Sequence, residues 1–267
     1  MSSTEHLSTE RHGSTLVLTL NRPRAKNALS LPMLVGLYDS WLEADADDDI
    51  RSVVLTGAGG DFCAGMDLKA LAGGTFSEGT DYRARMQADP DLHWKAMLRH
   101  YRPRKPVIAA VEGACVAGGT EILQGTDIRV AAESASFGLF EVRRGLFPVG
   151  GSTVRLPRQI PHTHALEMLL TGRRYSAAEA RDIGLVGSVV PDGTALKRAL
   201  ELAEAVNEAA PLSVEAVKRS VYETAGMSEE EGLARELEIG WPIFATEDAK
   251  EGPRAFAERR APVFRRR

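Results

Sequence analysis

An α/β fold is predicted by three features of the chain. Short β-branched, apolar segments run through glycines into helix starts, this junction recurs at two places, and only helical patterns follow Pro191. At 267 residues with 43% hydrophobic content, the chain has room for one large domain or a domain with an appendage. Its 33 basic and 37 acidic residues leave a formal net charge of −4, which gives no whole-chain attraction to nucleic acid or an anionic membrane, so any anion site must be local. Cys63 and Cys115 form neither a metal-type cluster nor a disulfide framework, and a reducing compartment fits them. The polar opening MSSTEHLSTERHG lacks an apolar signal core, and eighteen apolar residues never run together. A cytoplasmic location is the expectation, with no export signal and no membrane span.

STLVLTL at Ser14–Leu20 predicts a strand that Asn21-Arg22-Pro23 turns out of. Arg22, Arg24 and Lys26 then form a basic loop, and Ser30 is the N-cap expected for a helix from about Leu31 to Ala46. The acidic run Glu43–Asp49 lacks the spaced ligands and glycine of a calcium loop and reads as a solvated helix end. A second strand at Arg51–Thr56 passes through Gly57-Ala58-Gly59-Gly60 to Phe62–Lys69. Gly73–Thr80 reads as a flexible connector, Asp81–His100 as one helix, Pro106–Val111 as a third strand, and Gly118-Gly119 as the entry to the helix carrying Glu121. Another helix is expected after Gly150-Gly151-Ser152, His162 and His164 read as helix-start residues, and Ser176 with Glu179 has the form of a capping box. Leu185–Val190 is the last expected strand. Helices over about 195–209, 212–225, 228–239 and 246–259 complete the chain and suggest an oligomer.

The stretch Ala109–Gly151 carries the candidate chemistry. Glu121, in a first helical turn, faces the positive end of a helix dipole, which favours its ionised form. Glu141 follows Phe137-Gly138-Leu139-Phe140, whose apolar surfaces favour its protonated form. Carboxyls whose proton affinities are pushed apart form the pattern of paired acid and base. The two strand-glycine-helix junctions also leave the N–H groups of Met66 and Gly118 as donors that could share one oxygen. Cys63 has no evident basic partner and reads as a small core residue.

Taken in order, the motifs LNRPRAKNALS (Leu20–Ser30), VVLTGAGGDFCAGMDL (Val53–Leu68), Ala109–Gly151, LTGRRYSAAEARDIGLV (Leu170–Val186), APLSVEAVK (Ala210–Lys218) and TEDAKEGPRAFAERRAPVF (Thr246–Phe264) resemble the enoyl-CoA hydratase (crotonase) family. The resemblance covers nearly the whole chain. It implies a spiral of ββα turns holding the CoA site over residues 1–195 and a helical trimerisation region over 196–267, with a homotrimer or dimer of trimers as the assembly. It further implies Glu121 and Glu141 as catalytic groups, and an oxyanion hole from the Met66 and Gly118 N–H groups. CoA-side contacts are implied at Arg24, Lys26, Ala28, Ala64, Met66, Asp67, Leu68, Lys69 and Gly118, with Phe256 and Arg259 reaching a neighbouring subunit's nucleotide. The implied activity is reversible syn hydration of a trans-2-enoyl-CoA in fatty-acid or related acyl-CoA degradation, with the CoA thioester as substrate and no metal or other cofactor. Three departures surround these residues: Phe140 stands where hydratases commonly have proline, GLFPVGG (Gly145–Gly151) is one residue short, and Ala117 replaces a glycine at the head of the glycine run. The rival readings are an enoyl-CoA isomerase using one carboxyl, a non-catalytic acyl-CoA-binding protein, and an RNA-binding relative, which would need a continuous basic surface.

Overall fold

The computed structural model describes residues 3–73 and 80–267. The connector expected at 73–80 falls almost wholly on the remaining residues, 74–79, and so lies outside the described ones. The elements run β1 (Leu7–His12), β2 (Thr15–Leu20), α1 (Leu31–Ala46), β3 (Ser52–Gly57), α2 (Leu68–Gly73), α3 (Thr80–Ala88), α4 (Leu92–Ala96), β4 (Val107–Val111), β5 (Ala114–Val116), α5 (Gly118–Leu123), β6 (Ile128–Ala132) and β7 (Ser136–Gly138). They continue as α6 (Ser152–Gln159), α7 (His162–Thr171), β8 (Tyr175–Ser176), α8 (Ala177–Asp182), β9 (Ser188–Val190), α9 (Ala195–Asn207), α10 (Pro211–Glu223), α11 (Glu229–Gly240) and α12 (Glu247–Ala257).

The larger sheet has the order β1-β2-β3-β4-β6-β9, parallel throughout except for the antiparallel edge strand β1. Its side chains sort by the two-residue period of a strand. Leu16, Leu18, Val53, Leu55, Val107 and Ala109 face the main core, while Val17, Val54, Ile108, Ala110 and Val130 face α9. Ala195, Ala199 and Ala203, spaced by one helical turn, let α9 lie close against the sheet. A smaller sheet, β5-β7-β8, stands beside the first, and a bridge from Cys63 to Cys115 continues it into the segment after β3. The successive pairs β4–β5 and β6–β7, each a large-sheet strand followed by a small-sheet one, are turns of the expected ββα spiral.

Local signals place the helices. Ser30 caps α1 by accepting from the Met33 N–H, and Ser176 with Glu179 makes a complete capping box at α8. Four expectations change. The helix expected over Asp81–His100 is two helices, because Pro90 lacks an N–H and disfavours a helical residue before it. The last strand is confined to Ser188–Val190. The polar segment LSTERH forms β1, whose burial rests on Leu7, as suits an edge strand facing water. Strands β5, β7 and β8, each of three residues or fewer, are too short to show a period.

Candidate active site

The two strand-to-helix junctions meet. Gly65 has φ +86°, and a Cβ there would lie 2.8 Å from the Ala117 Cβ and 2.9 Å from the Gly118 nitrogen. A Cβ on Gly118 would in turn sit 3.3 Å from the Gly65 Cα. Glycine at both positions lets the two backbones touch, bringing the Met66 and Gly118 N–H groups into one neighbourhood. Leu29 accepts from the Asp67 N–H and donates to the Gly65 carbonyl, which turns the Met66 N–H away from that pairing. Among the described residues, neither the Met66 nor the Gly118 N–H has an acceptor. Gly118 is buried and Met66 half-buried, and donors left unpaired in this way are open to an acceptor from outside the chain.

Ala117 enters α5 with φ 51° and ψ −125°, a conformation that disfavours any residue with a Cβ. Its N–H donates to the Gly138 carbonyl at 2.7 Å, and the Thr120 hydroxyl donates to the Cys115 carbonyl at 2.6 Å. These contacts fasten the start of α5 to β5 and β7, so Gly118 and Glu121 are held by both strands.

Glu121 is buried at 5% exposure, and its Oε1 has no partner among the described residues. A Cβ on Gly150 would lie 2.5 Å from Glu121 Oε2 and 2.6 Å from Cδ, so only glycine fits over the carboxyl. Desolvation, followed by the field of Glu141, raises the Glu121 pKa to about 7, while the nearby N–H groups of Gly150 and Ser152 and the Ser152 hydroxyl favour the anion and pull it down. Glu141 opens a 3-10 turn, Glu141–Arg144, that is held by the Leu146 N–H donating to the Glu141 carbonyl and by Arg143 Nε donating to the Thr171 carbonyl at 2.7 Å. Desolvation raises its pKa as well, against its own backbone N–H and the charge of Arg144, and its Oε2 is also without a partner.

The expectation for Glu121 is therefore corrected, while the pKa of Glu141 moves in the expected direction. Glu121 is shifted toward its protonated form rather than its ionised one, because a six-residue helix supplies too little field to offset burial beneath Gly150. The field of Glu141 contributes to the Glu121 shift, and each carboxyl keeps one buried oxygen without a partner among the described residues.

A groove of about 820 Å³ reaches Met66, while Gly118, Glu121 and Glu141 are not among the residues that line it. Arg24, Lys26, Ala28, Ala64, Met66, Asp67, Leu68 and Lys69 all line it, joined by Glu5, His6, Arg22 and Ser30. Arg22 pairs with Asp67 at 2.9 Å, which makes the Asp67 carboxylate a brace for the loop as well as part of the wall. Buried Asn27 fixes the same loop: it has φ 54°, accepts from the Arg22 N–H, and donates to the carbonyls of Ala58 and Asp61. An asparagine beside a basic turn is its only mark in the sequence, as asparagine tolerates a positive φ. Phe256, at 86% exposure, and exposed Arg259 lie on and just after α12 and are not brought to this groove within one chain. Burial pushes the Cys63 thiol up to about 12 and Cys115 up as well, which leaves both inert as nucleophiles. Among the described residues, no three His, Cys, Asp or Glu side chains are arranged to hold a metal ion, and no helix is long and apolar enough to cross a membrane.

Residues 10–267 match the family described as Enoyl-CoA hydratase/isomerase. The chain is 54% identical to enoyl-CoA hydratase EchA19 of Mycobacterium tuberculosis over 97% of its length and 96% of the relative's. It is 40% identical to (E)-benzylidenesuccinyl-CoA hydratase of Thauera aromatica over 93% of its length and 94% of that protein's. The crystal structure of an enoyl-CoA hydratase from Mycobacterium tuberculosis superposes with a TM-score of 0.89 at 40% identity, covering 99% of this chain and all of that one.

Proposed function

The chain belongs to the enoyl-CoA hydratase/isomerase family, and from that premise we infer that it is an enoyl-CoA hydratase, adding water reversibly across the C2–C3 double bond of a trans-2-enoyl-CoA to give the 3-hydroxyacyl-CoA. The observation that supports the mechanism is that Glu121 and Glu141 each keep a buried carboxyl oxygen without a partner, as the Met66 and Gly118 N–H groups are without acceptors, among the described residues. In the proposed path, both carboxyls hold one water over the double bond. Ionised Glu121 takes a proton as oxygen attacks C3, and Glu141 delivers a proton to C2 on the same face. Negative charge gathers on the thioester oxygen, where the Met66 and Gly118 N–H groups stabilise it without reorganising solvent. A proton affinity near neutrality suits Glu121 to both directions of the reaction. Isomerisation needs only one such acid, so the presence of both favours hydration.

Arg24, Lys26 and Lys69, exposed at the groove, suit the phosphates of CoA, and pantetheine would run past Ala28, Ala64 and Leu68 toward Met66. Acyl-CoA degradation in the cytoplasm is the setting we propose. The exposed Val217, Val221, Leu233, Leu237, Trp241 and Phe244 on α10, α11 and the turn after them form an apolar surface for a second copy of the chain. A trimer or a dimer of trimers would cover this surface and leave Phe256 and Arg259 for a neighbour's nucleotide.

Loss of the conjugated-thioester absorbance of crotonyl-CoA tests the activity. Wild type should turn over, and Glu121→Gln and Glu141→Gln should each lose about 10²–10⁴-fold in kcat with CoA affinity kept. Binding without turnover at any chain length would favour an acyl-CoA-binding protein, and bond migration without water incorporation would favour an isomerase.

A further inference from the structure

Arg99 and Arg155 lie outside the residues assigned above, yet both direct their guanidinium groups onto backbone carbonyls around the glycine segment that covers Glu121. Arg99, just past α4, donates from Nε to the Val149 carbonyl at 2.8 Å. Arg155, on α6, donates back to the Leu98 carbonyl, and its contact to the Arg99 carbonyl is 3.4 Å. The segments 98–99 and 149–155 are thus tied together in both directions. Between Val149 and Arg155 stand Gly150 and Ser152, whose N–H groups favour the Glu121 anion and whose backbone closes over its carboxyl. Gln124 adds a third tie by donating from Nε2 to the Ser152 hydroxyl at 2.8 Å.

The tie is built against resistance. Leu98 is a buried leucine with φ +58°, a conformation that costs free energy and persists only where its surroundings enforce it. A Cβ on Gly125 would lie 2.6 Å from the Leu98 Cβ and 3.1 Å from Arg155 Nη1, so glycine is required there to admit both side chains. The same turn delivers the Met97 Cε to within 3.5 Å of a Cβ built on Gly118, next to the proposed oxyanion donor.

We propose that Arg99 and Arg155 are positioning residues which clamp the Val149–Ser152 segment over Glu121 and so hold its carboxyl in reacting orientation. This rests on Glu121 acting as an acid–base group in hydration. Releasing the clamp lets Gly150 and Ser152 draw back and water reach the carboxyl; burial outweighs the donors lost with them, so the proton is bound less tightly. The charged groups facing Glu121 are Glu141, from the 3-10 turn, and Arg155, from α6. Arg99 is the better probe because its exposed charge is screened by solvent, so its effect reaches Glu121 through the loop.

The test compares wild type with Arg99→Met and Arg99→Lys as full-length protein. Arg99→Met should lose about tenfold to a hundredfold in kcat for crotonyl-CoA with KM nearly unchanged. The acid limb of its pH–rate profile should move to lower pH, and Arg99→Lys, which keeps a donor, should recover most of the loss. Independently of turnover, the ¹³C-carboxyl NMR titration of Glu121, assigned with Glu121→Gln, should have a lower midpoint in Arg99→Met than in wild type. An unmoved midpoint and pH profile would overturn the clamp, including where kcat falls because less protein is folded. A wild type that hydrates no enoyl-CoA would remove the hydratase reading, while the titration would still decide the clamp.

Discussion

Glu121 lies in the first turn of α5 with glycine backbone pressed on its carboxyl, whereas Glu141 opens a short 3-10 turn flanked by exposed Val142, Leu146 and Phe147 and by basic Arg143 and Arg144. Burial is the leading cause of both shifts, but it is opposed differently. At Glu121 the opposition comes from fixed dipoles of Gly150 and Ser152, and at Glu141 from its own N–H and the exposed charge of Arg144. Fixed dipoles in a buried site need no reorganisation when charge appears, while a solvated arginine is screened. The contrast suits Glu121 to carry the finely oriented role and Glu141 to be tuned from its loop.

The largest effect that would sharpen this contrast is on stability. The Glu121 pKa is raised in the folded chain from 4.5 to about 7, so its favourable contribution is full below about 4.5 and is lost as pH rises through about 7. Each tenfold change in proton affinity is worth about 1.4 kcal/mol. Glu121→Gln should thus match wild type near pH 4.5 and exceed it by about 3 kcal/mol at pH 8 in urea unfolding. Equal stability at both pH values would mean that Glu121 is not held in a desolvating site.

Next is the glycine cover. Gly150→Ala must displace the Glu121 carboxyl, and should cost about a hundredfold in kcat with little change in CoA-thioester affinity. A wild-type kcat would show the carboxyl free to move. A smaller effect is expected at the neighbouring entry to α5. Ala117→Gly removes a Cβ from a backbone at φ 51°, and should stabilise the fold by about 1 kcal/mol in a thermal melt, after the entropy cost of glycine in the unfolded chain. The smallest effect belongs to Glu141. Arg144→Gln removes a charge that lowers its pKa, so the ionisation assigned to Glu141 by NMR should move up while that of Glu121 barely changes.

Much of the site is written locally in the chain. The glycines at 65 and 118, both carboxyls and the basic loop mark themselves by residue type and spacing, and the fold brings Arg24 through Lys69 onto one groove. Helix starts are legible for the same reason, since Ser30 and Ser176 act within three residues of themselves. What escapes is set by distant parts of the chain. The proton affinity of Glu121 depends on Gly150 and Ser152 closing over it from a separate loop, and Asn27 acquires meaning only when Ala58 and Asp61 arrive beside it. Strand β1 is hidden by its polar face, and the break between α3 and α4 by an apolar pattern that continues across Pro90.

The central claim is that Glu121 and Glu141 act together on one water rather than as separate contributors. Single-turnover hydration of crotonyl-CoA by Glu121→Gln, Glu141→Gln and the double variant tests it most directly, with binding of the thioester measured alongside. Groups that act as a unit are strongly non-additive, so the double variant should be scarcely slower than the worse single one, with binding unchanged in all three. Losses that multiply in the double variant, or a single variant that keeps the wild-type rate, would contradict it.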